Sequence, residues 1–164
     1  MISAEEFETL ALRRIRSIVH ADELVFKAFF GMSRVGPRLT VDFESTAHRP
    51  LGLTWPGFRL LFCLWVAGPL QTRELAKLCA TTAPTVSSVL NTLERNGYIT
   101  RHRLAVDQRL VEARLTPEGD KVVAKAYVAQ HQREHDWAAG IDEGKLAIFA
   151  EVLEHLAAVP RPLH

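Results

Sequence analysis

The sequence predicts a mainly α-helical protein in which a pair of closely spaced helices is followed by one short β-hairpin. Three observations carry this prediction. Apolar side chains recur at i, i+3, i+4 and i+7 in several segments. Thr81-Thr82-Ala83-Pro84 interrupts the helical pattern after a short apolar face at Leu75, Ala76 and Leu78. Two strands, at about 98–103 and 110–115, then flank the tip Val106-Asp107-Gln108-Arg109. Two helices joined by about four residues and followed by a hairpin form a winged helix-turn-helix.

The segment before this motif is expected to be helical. Ser3 and Glu6 have the spacing of a capping box, which predicts a first helix to about Val19. A second long helix is expected over about 21–46, with a kink or a break caused by Gly31, Gly36 and Pro37.

A third helix is predicted to follow a clear start signal, with Thr54 as its cap and Pro56 in its first turn. Gly68-Pro69 ends it. Its apolar face is expected to contain Phe58, Leu61, Phe62 and Trp65.

The second helix of the helix-turn-helix has two contrasting faces. Its apolar stripe is formed by Val86, Val89, Leu90 and Leu93. The opposite face carries short, uncharged hydrogen-bonding side chains with a cation at the far end: Thr85, Ser87, Ser88, Asn91 and Arg95. Such a face can enter a DNA major groove without steric or charge conflict. Asn96-Gly97 is expected to end the helix.

The C-terminal part is predicted to form two more helices. Thr116-Pro117-Glu118 begins one that runs to about Ala139, and the other spans Asp142 to Ala158. The helices at both ends of the chain have apolar stripes with little globular mass beside them, which indicates a dimerisation module. The predicted division is 1–53 for N-terminal helices with an apparent extension, 54–119 for the winged helix-turn-helix, and 120–164 for C-terminal dimerisation helices.

Charge and composition narrow the function further. The net charge is only +1, but the hairpin region 101–114 has four cations, Arg101, Arg103, Arg109 and Arg114, against Asp107 and Glu112. No apolar run approaches the roughly 18–20 residues that span a bilayer, and the N-terminus lacks the pattern of a signal peptide. Two cysteines do not make a disulfide framework. A cytoplasmic protein without membrane association is therefore expected.

The motifs in residues 52–119 resemble those of the MarR-type transcriptional regulators. The resemblance is carried by Gly52-Leu53-Thr54, Leu75-Ala76, Thr85-Val86-Ser87-Ser88, Leu93-Glu94-Arg95-Asn96-Gly97-Tyr98-Ile99, Arg101, Asp107-x-Arg109 and Leu115-Thr116-Pro117-Glu118-Gly119. It implies a two-fold dimer on a pseudo-palindromic DNA operator, acting as a repressor that a small aromatic ligand releases. Residues 1–49 are longer than the family usually needs and are expected to hold an added or extended first helix.

The resemblance also implies roles for individual residues. Thr85, Ser87 and Ser88 would lie at the groove-facing start of the recognition helix, with Asn91 one turn further on. Arg109 would enter the adjacent minor groove, while Asp107 holds the turn of the wing. The phosphate contacts would come from Arg95, Arg101 and Arg103.

A ligand pocket is implied where the dimerisation helices meet the DNA-binding lobe. Aromatic walls with one or two cationic groups would suit a small aromatic carboxylate or phenolate. The residues expected there are Phe30, Arg34, His48, Phe58 and Phe62, although aromatic residues at helical spacing also fit an ordinary core.

Metal and redox chemistry are weaker alternatives. His131 and His135 share one helix face, and Glu23, Asp42, Glu44 or His48 would have to complete a zinc site. Their neighbours are typical of a solvated helix, so no metal or cofactor is expected. Cys63 and Cys79 are interpreted as small buried hydrophobes rather than peroxide sensors.

The sequence also bears on two other classes of function. The sequence has no phosphate-binding glycine loop, serine elbow or His-Glu-x-x-His motif, so an enzyme is not expected. A winged helix used only for protein contacts would not need Thr85, Ser87, Ser88 and Arg109 on one side.

Overall fold

The computed structural model describes residues 2–103 and 111–160, and over these ranges the chain is mainly helical with a small antiparallel sheet, as the sequence predicts. The helices are α1 (Ala4–Arg16), α2 (Glu23–Phe43), α3 (Trp55–Ala67), α4 (Thr72–Leu78), α5 (Ala83–Arg95), α6 (Pro117–Ala138) and α7 (Glu143–Ala158). The strands are β1 (Leu70–Gln71), β2 (Ile99–Arg103) and β3 (Val111–Leu115).

The N-terminal helices form a hairpin. The capping box of α1 is present, since Ser3 N donates to Glu6 Oε2 over 2.6 Å and Glu6 N donates to Ser3 Oγ over 3.1 Å. The helix ends at Arg16, before the predicted limit. Aromatic rings join α1 to α2, with the centroid of Phe30 lying 5.9 Å from that of Phe7.

The break considered for α2 does not occur, because the helix continues through Pro37 to Phe43. A proline inside a helix loses its N–H hydrogen bond and crowds the carbonyl four residues earlier, but the additional clash with the preceding side chain is absent here because Gly36 has none. A π-helical turn at Glu44–His48 and a 3₁₀ turn at Arg49–Leu51 then lead towards α3.

The core lies where α3 meets α4, α5, α6 and the sheet. Thr54 caps α3, because its Oγ1 accepts a hydrogen bond from Gly57 N over 3.2 Å. Trp65, which was predicted to face the core, is 39% exposed, and Leu60 and Leu64 are buried instead. The buried side chains of this core include Leu53, Phe58, Leu60, Leu61, Leu64, Leu75, Val86, Leu90, Leu93, Ile99 and Val123.

The helix-turn-helix is present, and its sheet has one more strand than was predicted. Leu75 of α4 is buried, but Leu78 is 56% exposed, so the prediction that Leu78 belongs to the apolar face was wrong. The strand order is β1-β3-β2, with antiparallel pairing throughout. The additional strand, β1, has only two residues, and its pairing with Ala113 and Glu112 is what makes it a strand.

A polar cluster joins α2 to α6. Asp42 Oδ2 accepts hydrogen bonds from Arg133 Nη2 over 2.8 Å and from Trp137 Nε1 over 2.7 Å. The indole hydrogen bond and the guanidinium of Arg133 lower the pKa of Asp42, so this carboxylate is ionised at neutral pH.

The last helix, α7, contains no buried residue in this structure of a single chain. Its exposed apolar side chains include Ile148, Phe149, Val152 and Leu153. Over the described residues, no single helix has the length and hydropathy to cross a membrane. The helical segments Glu23–Leu51 and Trp55–Ala67 meet these criteria only when taken together, and the chain bends by 74° between them.

We predict that Gly119→Ala destabilises the fold. Gly119 lies in the first turn of α6, where a Cβ would come within 2.9 Å of the Tyr98 carbonyl carbon and closer still to its oxygen. That carbonyl accepts a hydrogen bond from Thr116 N over 3.0 Å, so the backbone cannot move freely. Overpacking of this kind costs about 1–3 kcal/mol of the free energy of unfolding, which urea denaturation would measure.

Gly31→Ala is the matched control, because a Cβ at Gly31 would meet no atom within 4 Å outside its own helix backbone. Alanine has the higher helix propensity, so this variant should gain roughly 0.5–1 kcal/mol. Equal stabilities for the two variants would contradict the close approach of α6 to Tyr98.

Candidate nucleic-acid interface

The orientation of α5 separates its two faces. Val86, Leu90 and Leu93 are buried, as their spacing predicts, while Val89 is partly buried. The side chains of the opposite face are all exposed: Thr85, Ser87, Ser88, Asn91 and Arg95. This arrangement leaves a polar, nearly uncharged helix face in contact with solvent.

The N-terminus of α5 is closed by a local hydrogen-bond network. Thr82 Oγ1 accepts from Thr85 N over 3.4 Å, and the hydroxyl groups of the two threonines lie 2.8 Å apart. Pro84 in the first turn supplies the backbone angle of a helix start without requiring a hydrogen bond from its nitrogen. The turn and the first turn of the helix are therefore held in one conformation.

Arg101 joins the hairpin to α5. Its Nη2 donates to Asn91 Oδ1 over 2.8 Å and to the backbone oxygen of Ser87 over 3.3 Å. Its Nε lies 3.7 Å from Glu94 Oε2, and the side chain is only 28% exposed. Sequence reasoning placed Arg101 among the phosphate contacts, and the structure shows that its guanidinium is already engaged by α5.

The remaining basic side chains of the hairpin differ in their partners. Arg103 is exposed at the end of β2, whereas Arg114 forms an ion pair with Glu112 on the same strand. The hydroxyl of Thr100 and Nε2 of His102 lie 2.8 Å apart. Asp107 and Arg109, at the predicted wing tip, lie outside the described residues. Part of the positive charge counted in the sequence is therefore neutralised within the sheet.

The five residues expected around a ligand are found in two separate clusters. Phe30 contacts Arg34, whose guanidinium carbon is 5.6 Å from the ring centroid, and Phe30 also stacks on Phe26. In the other cluster, the His48 ring lies 4.1 Å from Phe58, which in turn is 5.8 Å from Phe62. Among the described residues, no ring contact joins the two clusters.

His48 is fully buried at the end of the π-helical turn. Its Nε2 lies 2.9 Å from Gln130 Oε1, and Gln130 Nε2 donates to Glu134 Oε1 over 2.7 Å. Burial lowers the pKa of His48, and the hydrogen bond to Gln130 and the charge of Glu44 only partly oppose this effect. The imidazole is therefore neutral at neutral pH and links the π-helical turn to α6.

Glu44, at the other end of that turn, fastens it to α3. Its Oε2 accepts from Trp55 N over 2.8 Å, and its Oε1 accepts from Arg49 Nε over 3.0 Å. These two hydrogen bonds lower the pKa of Glu44. Sequence reasoning had considered this carboxylate only as a possible metal ligand.

His131 and His135 are adjacent on α6, with their Nε2 atoms 3.2 Å apart. Glu134 Oε2 lies 3.3 Å from Nδ1 of His131. In the parts of the chain that the structure describes, no group of three or more histidine, cysteine or acidic residues is arranged to hold a metal ion. The additional ligands considered from the sequence have other partners: Glu23 pairs with Arg16 and Lys27, and Asp42 pairs with Arg133.

The comparisons with known proteins agree with this geometry. The model of the MarR family matches residues 53–111. The chain is 28% identical over 153 residues to the uncharacterized HTH-type transcriptional regulator YwaE of Bacillus subtilis (strain 168), covering 93% of this chain and 90% of that protein. It is 32% identical over 111 residues to YwoH of the same organism, covering 67% of this chain and 80% of YwoH. The chain belongs to the MarR family.

Solved structures show that the fold of this MarR-family regulator extends beyond the matched segment. BpsR of Bordetella bronchiseptica, whose DNA binding is regulated by 6-hydroxynicotinic acid, has a TM-score of 0.73 at 21% identity, covering 80% of this chain and 98% of BpsR. NadR, solved in complex with 4-hydroxyphenylacetate, has a TM-score of 0.69 at 23% identity, covering 86% of this chain and 96% of NadR. At such low identities the likeness shows the fold alone.

We predict that the buried His48 makes the stability of this MarR-family protein decrease in mild acid. The unfolded chain binds a proton at His48 near the ordinary pKa of about 6.5, whereas the folded chain binds it only at lower pH. The free energy of unfolding therefore falls as the pH decreases below about 6.5, by up to about 1.4 kcal/mol per pH unit. Urea denaturation at a series of pH values measures this slope.

In His48→Gln the free energy of unfolding should depend less steeply on pH below about 6.5, because the proton uptake of His48 on unfolding is lost while the other histidines are unchanged. His20→Gln, at an exposed position, is the matched control and should keep the wild-type slope. A slope in His48→Gln equal to that of the wild type would show that His48 does not carry the effect.

Proposed function

We propose that this MarR-family protein is a homodimeric repressor that binds a pseudo-palindromic operator and is released by a small aromatic ligand. The observation that carries the DNA-binding part is the exposed polar face of α5. The helix is held by its buried stripe, and none of the side chains at its groove-facing start is charged. Such a surface can approach base edges without the cost of removing a charge from water.

In this proposal the side chains of the interface have different tasks. Thr85, Ser87 and Ser88 contact base edges at the start of α5, and exposed Arg95 and Arg103 contact phosphates. Arg101 instead positions Asn91 through the 2.8 Å hydrogen bond between them. Arg109 is assigned to the minor groove and Asp107 to the wing turn on the family resemblance, since both lie outside the described residues.

The proposed dimer uses the helices at the two ends of the chain, in residues 1–53 and 120–164. The exposed apolar side chains of α2 and α7 support this assignment, because a surface of this kind is unfavourable in water unless a partner covers it. In a two-fold dimer the same surface is used on both protomers, so two copies of α5 can meet two half-sites about one helical turn apart.

The effector part of the proposal is supported by the relatives and by the junction of α2 with α6. 6-Hydroxynicotinic acid and 4-hydroxyphenylacetate, the ligands of the two structural neighbours, are both small aromatic acids. An open cavity of about 580 Å³ lies between α2 and α6, and Arg38 and Trp137 contribute a cation and a ring to its wall. Arg133 also lines it, but its guanidinium is paired with Asp42. The size of this cavity falls within the range of ligand pockets, roughly 300–1,000 Å³.

We predict a dimer in solution. Light scattering at micromolar concentration should give twice the 18.4 kDa mass of one chain. Phe149→Glu should shift the protein towards monomer, because Phe149 is 59% exposed on the apolar face of α7 and two new charges would enter a two-fold interface. Glu151→Gln, two residues further along the same helix and therefore on another face, is the control and should remain dimeric. A wild-type monomer would contradict the proposal.

We also predict salt-sensitive, sequence-selective binding to the DNA upstream of the protein's own gene. Affinity measured by fluorescence anisotropy should fall steeply as salt increases, because each phosphate contact releases counterions. Arg109→Ala should weaken binding by about 1–3 kcal/mol, and Arg103→Ala should weaken it on all sequences while reducing the salt slope by about one. Ser87→Ala should cost less and relax the base preference.

Arg14→Ala, which removes an exposed cation from α1, is the matched control and should bind like the wild type. Unchanged affinity in Arg109→Ala would contradict the assignment of the wing. If a genomic pull-down at low salt recovers no DNA fragment, a protein-interaction module is favoured instead.

The effector is tested by adding either aromatic acid to the protein–DNA complex. The expected result is a decrease in the affinity of the protein for DNA.

A further inference from the structure

Two thiols meet between α3 and the turn of the helix-turn-helix. Cys63 lies on α3 and Cys79 directly follows α4, sixteen residues later in the chain. Their Sγ atoms are 3.6 Å apart, and both cysteines are free. A disulfide requires an S–S distance of about 2.05 Å, so closing the bond means a relative movement of about 1.5 Å.

The environment of the pair favours reaction at Cys79. The hydrogen bond from the Cys63 thiol and the positive charge of Arg59 lower the pKa of Cys79 to about 7, although burial acts in the opposite direction. The same interaction raises the pKa of Cys63. The lowered pKa favours the thiolate of Cys79, which is the nucleophilic form, with a thiol beside it.

A small oxidant can approach this thiolate. A partly open cavity of about 100 Å³ lies between α3 and α5, and its wall includes Arg59, Cys79 and Thr85. A cavity of this size has room for a molecule as small as hydrogen peroxide. The cavity borders both Cys79 and the first turn of the recognition helix, where Thr85 lies.

We propose that Cys63 and Cys79 form a reversible intramolecular disulfide when the protein meets hydrogen peroxide, and that this bond weakens operator binding. The first part rests on the geometry of the two thiols alone. The second part rests on the proposed function as an operator-binding regulator.

The chemistry balances in two steps. The Cys79 thiolate attacks one oxygen of the peroxide, the O–O bond breaks, and a sulfenic acid and hydroxide are formed, with the hydroxide taking up a proton to give water. The Cys63 thiol then attacks Sγ of Cys79, the S–O bond breaks, and the disulfide and a second water molecule are formed. The pair loses two electrons and two protons, and one peroxide is reduced to two waters. A dithiol such as dithiothreitol reverses the reaction by exchange.

The position of Cys79 explains why its oxidation would reach the DNA-binding surface. Cys79 begins the turn between α4 and α5, in which Ala80 has a φ of 50° and Thr81 N donates to Ala76 O over 2.9 Å. Thr82, the last residue of this turn, caps α5. Since a core of native density does not deform smoothly, drawing Cys79 towards α3 displaces the turn and with it the start of the recognition helix.

The first experiment measures the bond itself in the full-length reduced protein. Treatment with hydrogen peroxide should reduce the free thiols from two to none and lower the intact mass by two hydrogen atoms. Peptide mapping should find Cys63 linked to Cys79 within one chain, and dithiothreitol should restore both thiols. Free thiols after treatment, or oxidation only to sulfinic acid, would overturn the proposal.

The second experiment measures operator affinity before and after oxidation. The oxidised wild type should bind about 5- to 150-fold more weakly, which is the usual range of coupling between two sites, and dithiothreitol should restore binding. Cys63→Ser should bind normally when reduced, form no intramolecular disulfide, and lose less affinity under the same treatment. Cys79→Ser gives the reciprocal test if this variant folds. If it does not fold, Cys63→Ser is sufficient, because Cys63 is only partly buried and its replacement disturbs the core less.

The outcomes separate this inference from the proposed function. A disulfide with unchanged operator affinity, or an equal loss of affinity in Cys63→Ser, overturns the regulatory role of the bond. A reduced protein that binds no operator overturns the proposed function and this regulatory role together, while the thiol count still decides whether the pair forms a disulfide. Normal operator binding without any disulfide overturns only the redox inference.

Discussion

The apolar stripe of α5 packed against α3 is the contact on which the rest of the structure depends. Burying a side chain such as Leu90 stabilises the fold by about 1.5–3 kcal/mol, and two further stripe residues, Val86 and Leu93, are buried with it. Rotation of α5 by one residue, about 100°, would expose this stripe and bury serine and threonine hydroxyl groups instead. The helix therefore has one stable orientation, and its polar face is exposed as a consequence of core packing.

Two further constraints hold the supporting elements in place. The π-helical turn is tied to α3 by Glu44 and to α6 by the contact between His48 and Gln130, while Asp42 joins α2 to Arg133 of α6. The open cavity lined by Arg133 and Trp137 lies at this junction. A ligand bound there would touch α2 and α6, the two helices that the polar cluster joins. Both are connected through the π-helical turn to α3, which supports α5. This continuity gives the proposed release by an effector a physical basis.

The winged helix-turn-helix domain and the ends of the chain differ in how far their apolar side chains are covered by other elements. In the winged helix-turn-helix domain, α3 is surrounded by other elements, and Phe58, Leu61 and Leu64 are buried. In α7, Phe149 and Leu153 have no comparable cover within the described chain. Side chains of the same kind thus stabilise the fold in one region and, in the proposed dimer, would be covered by a second chain in the other. The thiol pair lies in the first region, next to the turn that leads into α5, and this is why the proposed disulfide would act on the surface assigned to DNA.

The sequence by itself determined the helical fold, the order of its elements and their limits to within a few residues, because caps such as Ser3, Thr54 and Thr116 and the spacing of apolar residues are local signals. It also identified which face of α5 is polar. Only the tertiary structure decided that Arg101 is engaged by Asn91, that β1 pairs with β3, that α2 continues through Pro37, and that Cys63 meets Cys79. Apart from the course of α2, these are contacts between residues distant in the chain, and no local pattern encodes a distance that the packing of several helices sets.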